Sequence, residues 1–87
     1  MNHSLESLFE KTKVHVRKVM GAKYQADGVG LDNSFAELGI DSLYLTEISF
    51  ALLTELDLYV PMAQVARTRT VREFLQLVLD ELKAAQA

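Results

Sequence analysis

Apolar residues recur at three- and four-residue steps in three stretches of this chain, and turn-forming residues separate them. Leu5, Leu8, Phe9, Thr12, Val16, Val19 and Met20 share helical spacing, with the lysines mostly between them, so a first helix is expected over residues 5–20. Gly21 is its stop. Residues 22–41 hold Gly28, Gly30 and Gly39 among polar turn formers, a long connection pinned by Val29, Leu31, Phe35 and Leu38. A second helix is expected from residue 42 to about residue 56, and Pro61 opens a short third one over residues 61–66. Thr70-Val71-Arg72-Glu73 reads as a capping box, with Thr70 as N-cap and Glu73 reaching back. It starts a last helix whose Val71, Phe74, Leu75, Val78 and Leu82 form one stripe and whose end, Ala84-Ala85-Gln86-Ala87, frays. No convincing strand pattern is present. The expected fold is all-α: a small four-helix bundle with a long loop between helices 1 and 2 and a short third helix.

The second helix is apolar on two sides. Leu45, Ile48, Leu52 and Leu56 fall together and are expected in the core. Opposite them lie Leu43, Thr46, Glu47, Phe50, Leu53 and Thr54. One apolar stripe suffices to fold a surface helix, so Leu43, Phe50 and Leu53 on the other side point to a partner surface. For Phe50 or Leu53 taken singly, cover by the long loop or the third helix is the competing expectation.

Length and composition narrow the chemistry. At 87 residues the chain is one small domain, residues 1–87, and its 49 % hydrophobic content argues against disorder. With no cysteine there is no disulfide, thiolate nucleophile or cysteine-based metal site, so any thiol chemistry has to be imported. No apolar run has the length of a membrane span, and the first residues lack the regions of a signal peptide. A cytoplasmic, monomeric protein is the expectation. The net charge of −3 is uneven: +2 over residues 1–20, −6 over residues 21–60 and +1 over residues 61–87. The acidic middle favours basic protein surfaces and disfavours nucleic acid.

That acidic middle contains Leu38-Gly39-Ile40-Asp41-Ser42-Leu43. Asp41 is a good N-cap, and Ser42 is then the first helical residue, with its hydroxyl near the positive end of the helix dipole. A phosphate ester at that point meets unpaired N–H groups. Asp32-Asn33-Ser34-Phe35 followed by Glu37 and the run through Leu43 resembles the modification site of acyl carrier proteins. Phe35, Leu38 and Gly39 match the apolar and glycine positions upstream, and the helix order extends the likeness over nearly the whole chain. The resemblance implies that a phosphopantetheinyl transferase, using magnesium of its own, places the 4'-phosphopantetheine arm of coenzyme A on Ser42. The arm's thiol then holds an acyl chain as a thioester for acyl-loading and acyl-processing enzymes such as a ketosynthase or an acyltransferase. It also makes the outer face of the second helix, with Leu43, Thr46, Glu47, Phe50 and Leu53, the docking face. Leu45, Ile48, Leu52, Val65, Phe74 and Val78, ordinary core by their spacing, become candidates for the surface against which a cargo chain folds back.

The chain departs from that family in one respect. Tyr44 and Leu53-Thr54 stand where carriers of fatty-acid synthesis often have acidic residues, leaving Glu47 and Glu55 within the helix, and Arg67, Arg69 and Arg72 add a basic cluster. This points to polyketide or hybrid polyketide–peptide assembly. A peptidyl carrier with aminoacyl cargo is the alternative, although Ile40-Asp41 looks more like acyl carriers, and a fatty-acid carrier is another. Catalysis is not expected: a serine nucleophile needs an adjacent base, and the histidines are His3 near the terminus and His15 on the first helix, a solvated or boundary position. Two histidines without cysteine make a poor metal set. Outside the carrier class, an unmodified helical docking adaptor explains Leu43, Phe50 and Leu53 but not the aspartate–serine pair.

Overall fold

The computed structural model describes residues 3–21, 24–25 and 28–86. Ala22, Lys23 and Asp27 of the long connection, and Ala87 at the end expected to fray, lie outside these residues. Four helices follow in order: α1 (Leu5–Met20), α2 (Ser42–Glu55), α3 (Met62–Val65) and α4 (Val71–Gln86). The four-helix expectation holds, and among the described residues the extended pairing is a single bridge between Ser34 and Thr70. No described helix is long and apolar enough to cross a membrane.

Each helix has a local reason to start where it does. Ser4 caps α1 by accepting from the Ser7 amide at 3.1 Å, and Ser7 Oγ accepts in turn from the Ser4 amide at 2.9 Å. Gly21, at φ 102°, ends it as expected. α3 is one turn long and comes directly after Pro61. At α4 the Thr70 hydroxyl accepts from the Glu73 amide at 3.1 Å, but the Glu73 carboxylate accepts from the Arg69 amide at 3.2 Å, one residue before the box position. The Thr70 cap is therefore as expected, and the reciprocal half is shifted. α4 continues helical to Gln86 rather than fraying from Ala84.

The core sits between α1, α2 and α4, with α1 packed against the other two. Leu8 and Val16 from α1, Ile48 and Leu52 from α2, Val65 from α3, and Phe74, Leu75 and Val78 from α4 are its fully enclosed centre. Leu56, placed with the core by the helical wheel, is only partly buried. The buried Thr12 donates its hydroxyl to the Leu8 carbonyl at 2.7 Å, so its burial strands no polar atom.

The long connection is held by its apolar residues and by α4. Val29, Phe35 and Ile40 are buried, and the Phe35 ring meets Phe74 edge-on with centroids 6.3 Å apart. The first amides of α4 have no partner inside their own helix. Val71 and Arg72 donate theirs to the loop carbonyls of Asn33 (3.2 Å) and Leu31 (2.8 Å), and Phe35 donates back to the Arg69 carbonyl at 2.9 Å. The loop thus satisfies a helix end while being fixed by it.

Candidate functional site

Ser42 is delivered to the surface by a single capped turn. Ser34 and Glu37 bond reciprocally, the Ser34 amide to Glu37 Oε1 at 2.9 Å and the Glu37 amide to Ser34 Oγ at 3.1 Å. The Ser34 amide, and after it the Ser34 side chain, hold the Glu37 carboxyl below the usual glutamate range. The turn closes when Ile40 donates to the Phe35 carbonyl at 2.9 Å and Gly39, at φ 72°, donates to Ala36 at 3.2 Å. Tyr24 braces it by donating its hydroxyl to the Leu38 carbonyl at 2.8 Å, and burial pushes the phenol pKa up. Ile40 is driven into the core, and the next two residues, Asp41 and Ser42, stay exposed.

Asp41 is the N-cap of α2, as its place before the helix predicts: its backbone is extended and its Oδ1 accepts from the Tyr44 amide at 2.9 Å. The amides of Ser42 and Leu43 donate to no described residue, and neither does the Ser42 hydroxyl. An exposed hydroxyl therefore stands beside two open N–H donors at the positive end of a 14-residue helix. Ser42 also lines a groove of about 390 Å³ shared with Phe35, Ile40, Leu45, Ala66, Thr68 and Arg69. A reachable hydroxyl, open amides and a groove beside them fit a phosphate-linked arm that ends in a chain.

His15 is not placed to activate Ser42 as a nucleophile. His15 is occupied elsewhere: its Nε2 donates to Glu55 Oε1 at 2.7 Å, while Lys11 donates to Glu55 Oε2, also at 2.7 Å. Glu55 is the last residue of α2 and Ser42 the first, about 20 Å apart along the axis. His15 is the boundary case of its expectation, a partly buried inter-helix partner. Among the described residues no cluster of His, Asp and Glu is arranged to hold a metal.

The outer face of α2 is exposed at Leu43 (64 %), Phe50 (70 %), Thr46, Glu47 and Thr54. The Thr46 hydroxyl is turned inward along the helix, donating to the Ser42 carbonyl at 2.8 Å. Leu53 is the correction: it is 7 % exposed and belongs to the core. The chain after α2 folds back, with Leu58 donating to the Leu53 carbonyl at 3.0 Å, and Leu53 shares a groove of about 340 Å³ with Leu58, Val60 and Met62. That fold-back also exposes Tyr59 (80 %) and Met62 next to Phe50, an extension of the apolar face that helical spacing alone does not identify. The alternation of Leu58 and Val60 inward with Tyr59 outward was the available signal. Of the six residues considered as a surface for folded-back cargo, only Leu45 lines the groove at Ser42; Ile48, Leu52, Val65, Phe74 and Val78 are closed core.

Comparison with known proteins agrees with this geometry. Three solution structures of an acyl carrier protein of the actinorhodin polyketide synthase from Streptomyces coelicolor share the fold. The 3-oxo-butyl form matches at 26 % identity and a TM-score of 0.74, and the 3,5-dioxohexyl form at 26 % and 0.78, each match covering 98 % of this chain and 96 % of the other. The 3,7-dioxo-octyl form matches at 27 % identity and a TM-score of 0.72 over 94 % of this chain and 93 % of the other. The sequence model of the phosphopantetheine attachment site matches residues 12–78, a span that includes the capped turn, Ser42 and the groove. With a match over more than half of its length, this chain belongs to the phosphopantetheine-binding carrier family.

Proposed function

We propose that this protein is the acyl carrier of a polyketide-type assembly line, with Ser42 as the attachment residue. The observation that carries the reading is the exposed Ser42 hydroxyl beside two amides that donate to no described residue, opening onto a groove of about 390 Å³. In attachment, the Ser42 Oγ–phosphorus bond forms as the pyrophosphate P–O bond of coenzyme A breaks. The hydroxyl proton is lost and 3',5'-ADP leaves. The arm supplies a thiol that holds the cargo as a thioester. The protein's own part is positional: Asp41 fixes the first turn of α2, the Ser42 and Leu43 amides would be open to hold the phosphate, and the tether would raise the local concentration of cargo at each partner. It is a carrier and not a catalyst, working in the cytoplasm.

Leu43, Thr46, Glu47 and Phe50 form the docking face for a phosphopantetheinyl transferase and for enzymes of the ketosynthase and acyltransferase type. Contact there is more apolar than ionic, because Glu47 is the one anion on that exposed strip. The polyketide assignment rests on the oxo-chain carriers among the similar structures and on the weakly acidic α2.

The test is intact mass after incubation with coenzyme A, magnesium and a broad-specificity phosphopantetheinyl transferase. The native chain gains one phosphopantetheine and Ser42→Ala gains none. A folded native chain that gains none with two different transferases overturns the reading in favour of an unmodified docking adaptor.

A further inference from the structure

We propose that Arg69 sets the class of cargo this carrier holds, by donating hydrogen bonds from the rim of the Ser42 groove to oxo groups in 1,3 relation on the tethered chain. The inference rests on the carrier reading above and deepens it. Three arginines surround the start of α4, and they are not equivalent. Arg72 is committed: its Nε donates to Asp32 Oδ1 at 2.8 Å and its Nη2 to Oδ2 at 3.3 Å. Arg67 is exposed and does not line the groove. Arg69 lines the groove together with Ser42, and its side chain makes no hydrogen bond or ion pair with any described residue.

The backbone of Arg69 is held at both polar groups. Its amide donates to Glu73 Oε1 at 3.2 Å, and its carbonyl accepts from Phe35 at 2.9 Å. A free guanidinium is therefore hung from a fixed point where the loop is stitched to α4. The groove that Arg69 lines is apolar at Phe35, Ile40 and Leu45 and polar at Ser34, Asp41 and Thr68. On the rim, Thr68 has spent its one hydroxyl hydrogen on the Val65 carbonyl at 2.6 Å. Arg69 is the one cationic donor among the residues that line the groove. A saturated chain in this groove gains apolar contact only. A chain with two carbonyls separated by one methylene offers paired acceptors to a planar fork of N–H donors, which a lysine cannot reproduce.

The experiment attaches to Ser42 a non-hydrolysable arm ending in a 1,3-dioxo chain, a saturated chain of equal length, or a bare thiol. Amide NMR shifts of Ile40, Leu45 and Ala66 then report the docked population, and intact mass reports attachment. The dioxo chain is expected to shift these amides well beyond the saturated one. Arg69→Gln is expected to cut the docking equilibrium of the dioxo chain by roughly tenfold or more, the loss of one charge-assisted hydrogen bond. Arg69→Lys is expected to recover part of it, and Arg67→Gln to leave it unchanged. Three results overturn the inference: equal shifts from dioxo and saturated chains, no loss in Arg69→Gln, or an equal Arg69→Gln effect on the bare-thiol form, which assigns the guanidinium to the phosphodiester. Absent attachment overturns the carrier reading itself, whereas full attachment with any of those three results overturns only the role of Arg69.

Discussion

The Leu58 amide donates to the carbonyl of Leu53 at 3.0 Å, and Asp57 between them donates to Thr54 at 3.2 Å with φ 52°. This pair of bonds is the left-handed closure that usually ends on glycine. It folds the chain back along α2 and places Leu58 and Val60 beside Leu53. Leu53→Ala is therefore expected to cost about 2–4 kcal/mol, as for other buried leucines. Phe50→Ala, one turn earlier and exposed, is expected to change stability by less than about 0.5 kcal/mol. Urea unfolding of the two variants separates a core residue from a docking residue.

Asp57 itself holds a positive φ without being glycine. Asp57→Gly relieves that conformation at the cost of a freer unfolded chain, and a net gain of about 0.5 kcal/mol is expected. Thermal unfolding checks it, and a loss of stability would show that the Asp57 side chain contributes more than its backbone costs.

Helical spacing identified Leu45, Ile48 and Leu52 as core because those residues meet other helices, which the period of the helix encodes. It misassigned Leu53 because that residue is covered by the segment after the helix, Leu58 to Met62, and no wheel includes the chain beyond Leu56. Ser42 was legible for a local reason: an N-cap aspartate and the first helical residue are set by four consecutive residues. Its groove was not, since Phe35, Leu45, Ala66 and Arg69 come from separate parts of the chain. Glu73 was expected to reach the Thr70 amide and binds that of Arg69 instead. The Arg69 carbonyl is at the same time paired with the Phe35 amide, so both polar groups of that residue are held.

Glu55 links α2 to α1 through Lys11 and His15, and the Lys11 hydrogen bond, followed by that of His15, holds its carboxyl below the ordinary glutamate value. A lowered carboxylate pKa contributes stability that is full above the unfolded-state value, about 4.3, and is lost as the pH falls through the lower folded value. The carboxylate is more than a third exposed, so solvent screens the pair and Glu55→Gln is expected to cost no more than about 1 kcal/mol at pH 7. The gap between variant and native stability closes as the pH falls below about 4. Chemical denaturation at a series of pH values tests this, and a gap that persists at acid pH would assign the loss to packing.

Gly39 adopts φ 72° with open space where a Cβ would stand. Gly39→Ala therefore meets no clash, and its cost is conformational, about 1–2 kcal/mol. Gly30 differs: its φ is not positive, but a Cβ there would stand 3.0 Å from Asn33 Oδ1, which accepts the Gly30 amide at 2.7 Å. The Gly39 change is expected to loosen the turn that presents Asp41 and Ser42, seen as faster amide exchange at Ile40.

Asp41 stands beside the attachment residue, and its carboxylate has two readings: a helix cap or a charge that partners recognise. The 2.9 Å bond from the Tyr44 amide makes it a cap first. Asparagine retains that acceptor and removes the charge, whereas alanine removes both. Asp41→Ala is expected to cost about 1 kcal/mol and Asp41→Asn only a few tenths. The transferase depends on an ordered first turn of α2, so attachment to Ser42 should track stability: near native for asparagine and slowed for alanine. Initial rates of attachment by intact mass, measured beside urea midpoints, decide the matter. Slowing by both substitutions with stability lost in only one would assign the carboxylate to partner recognition instead.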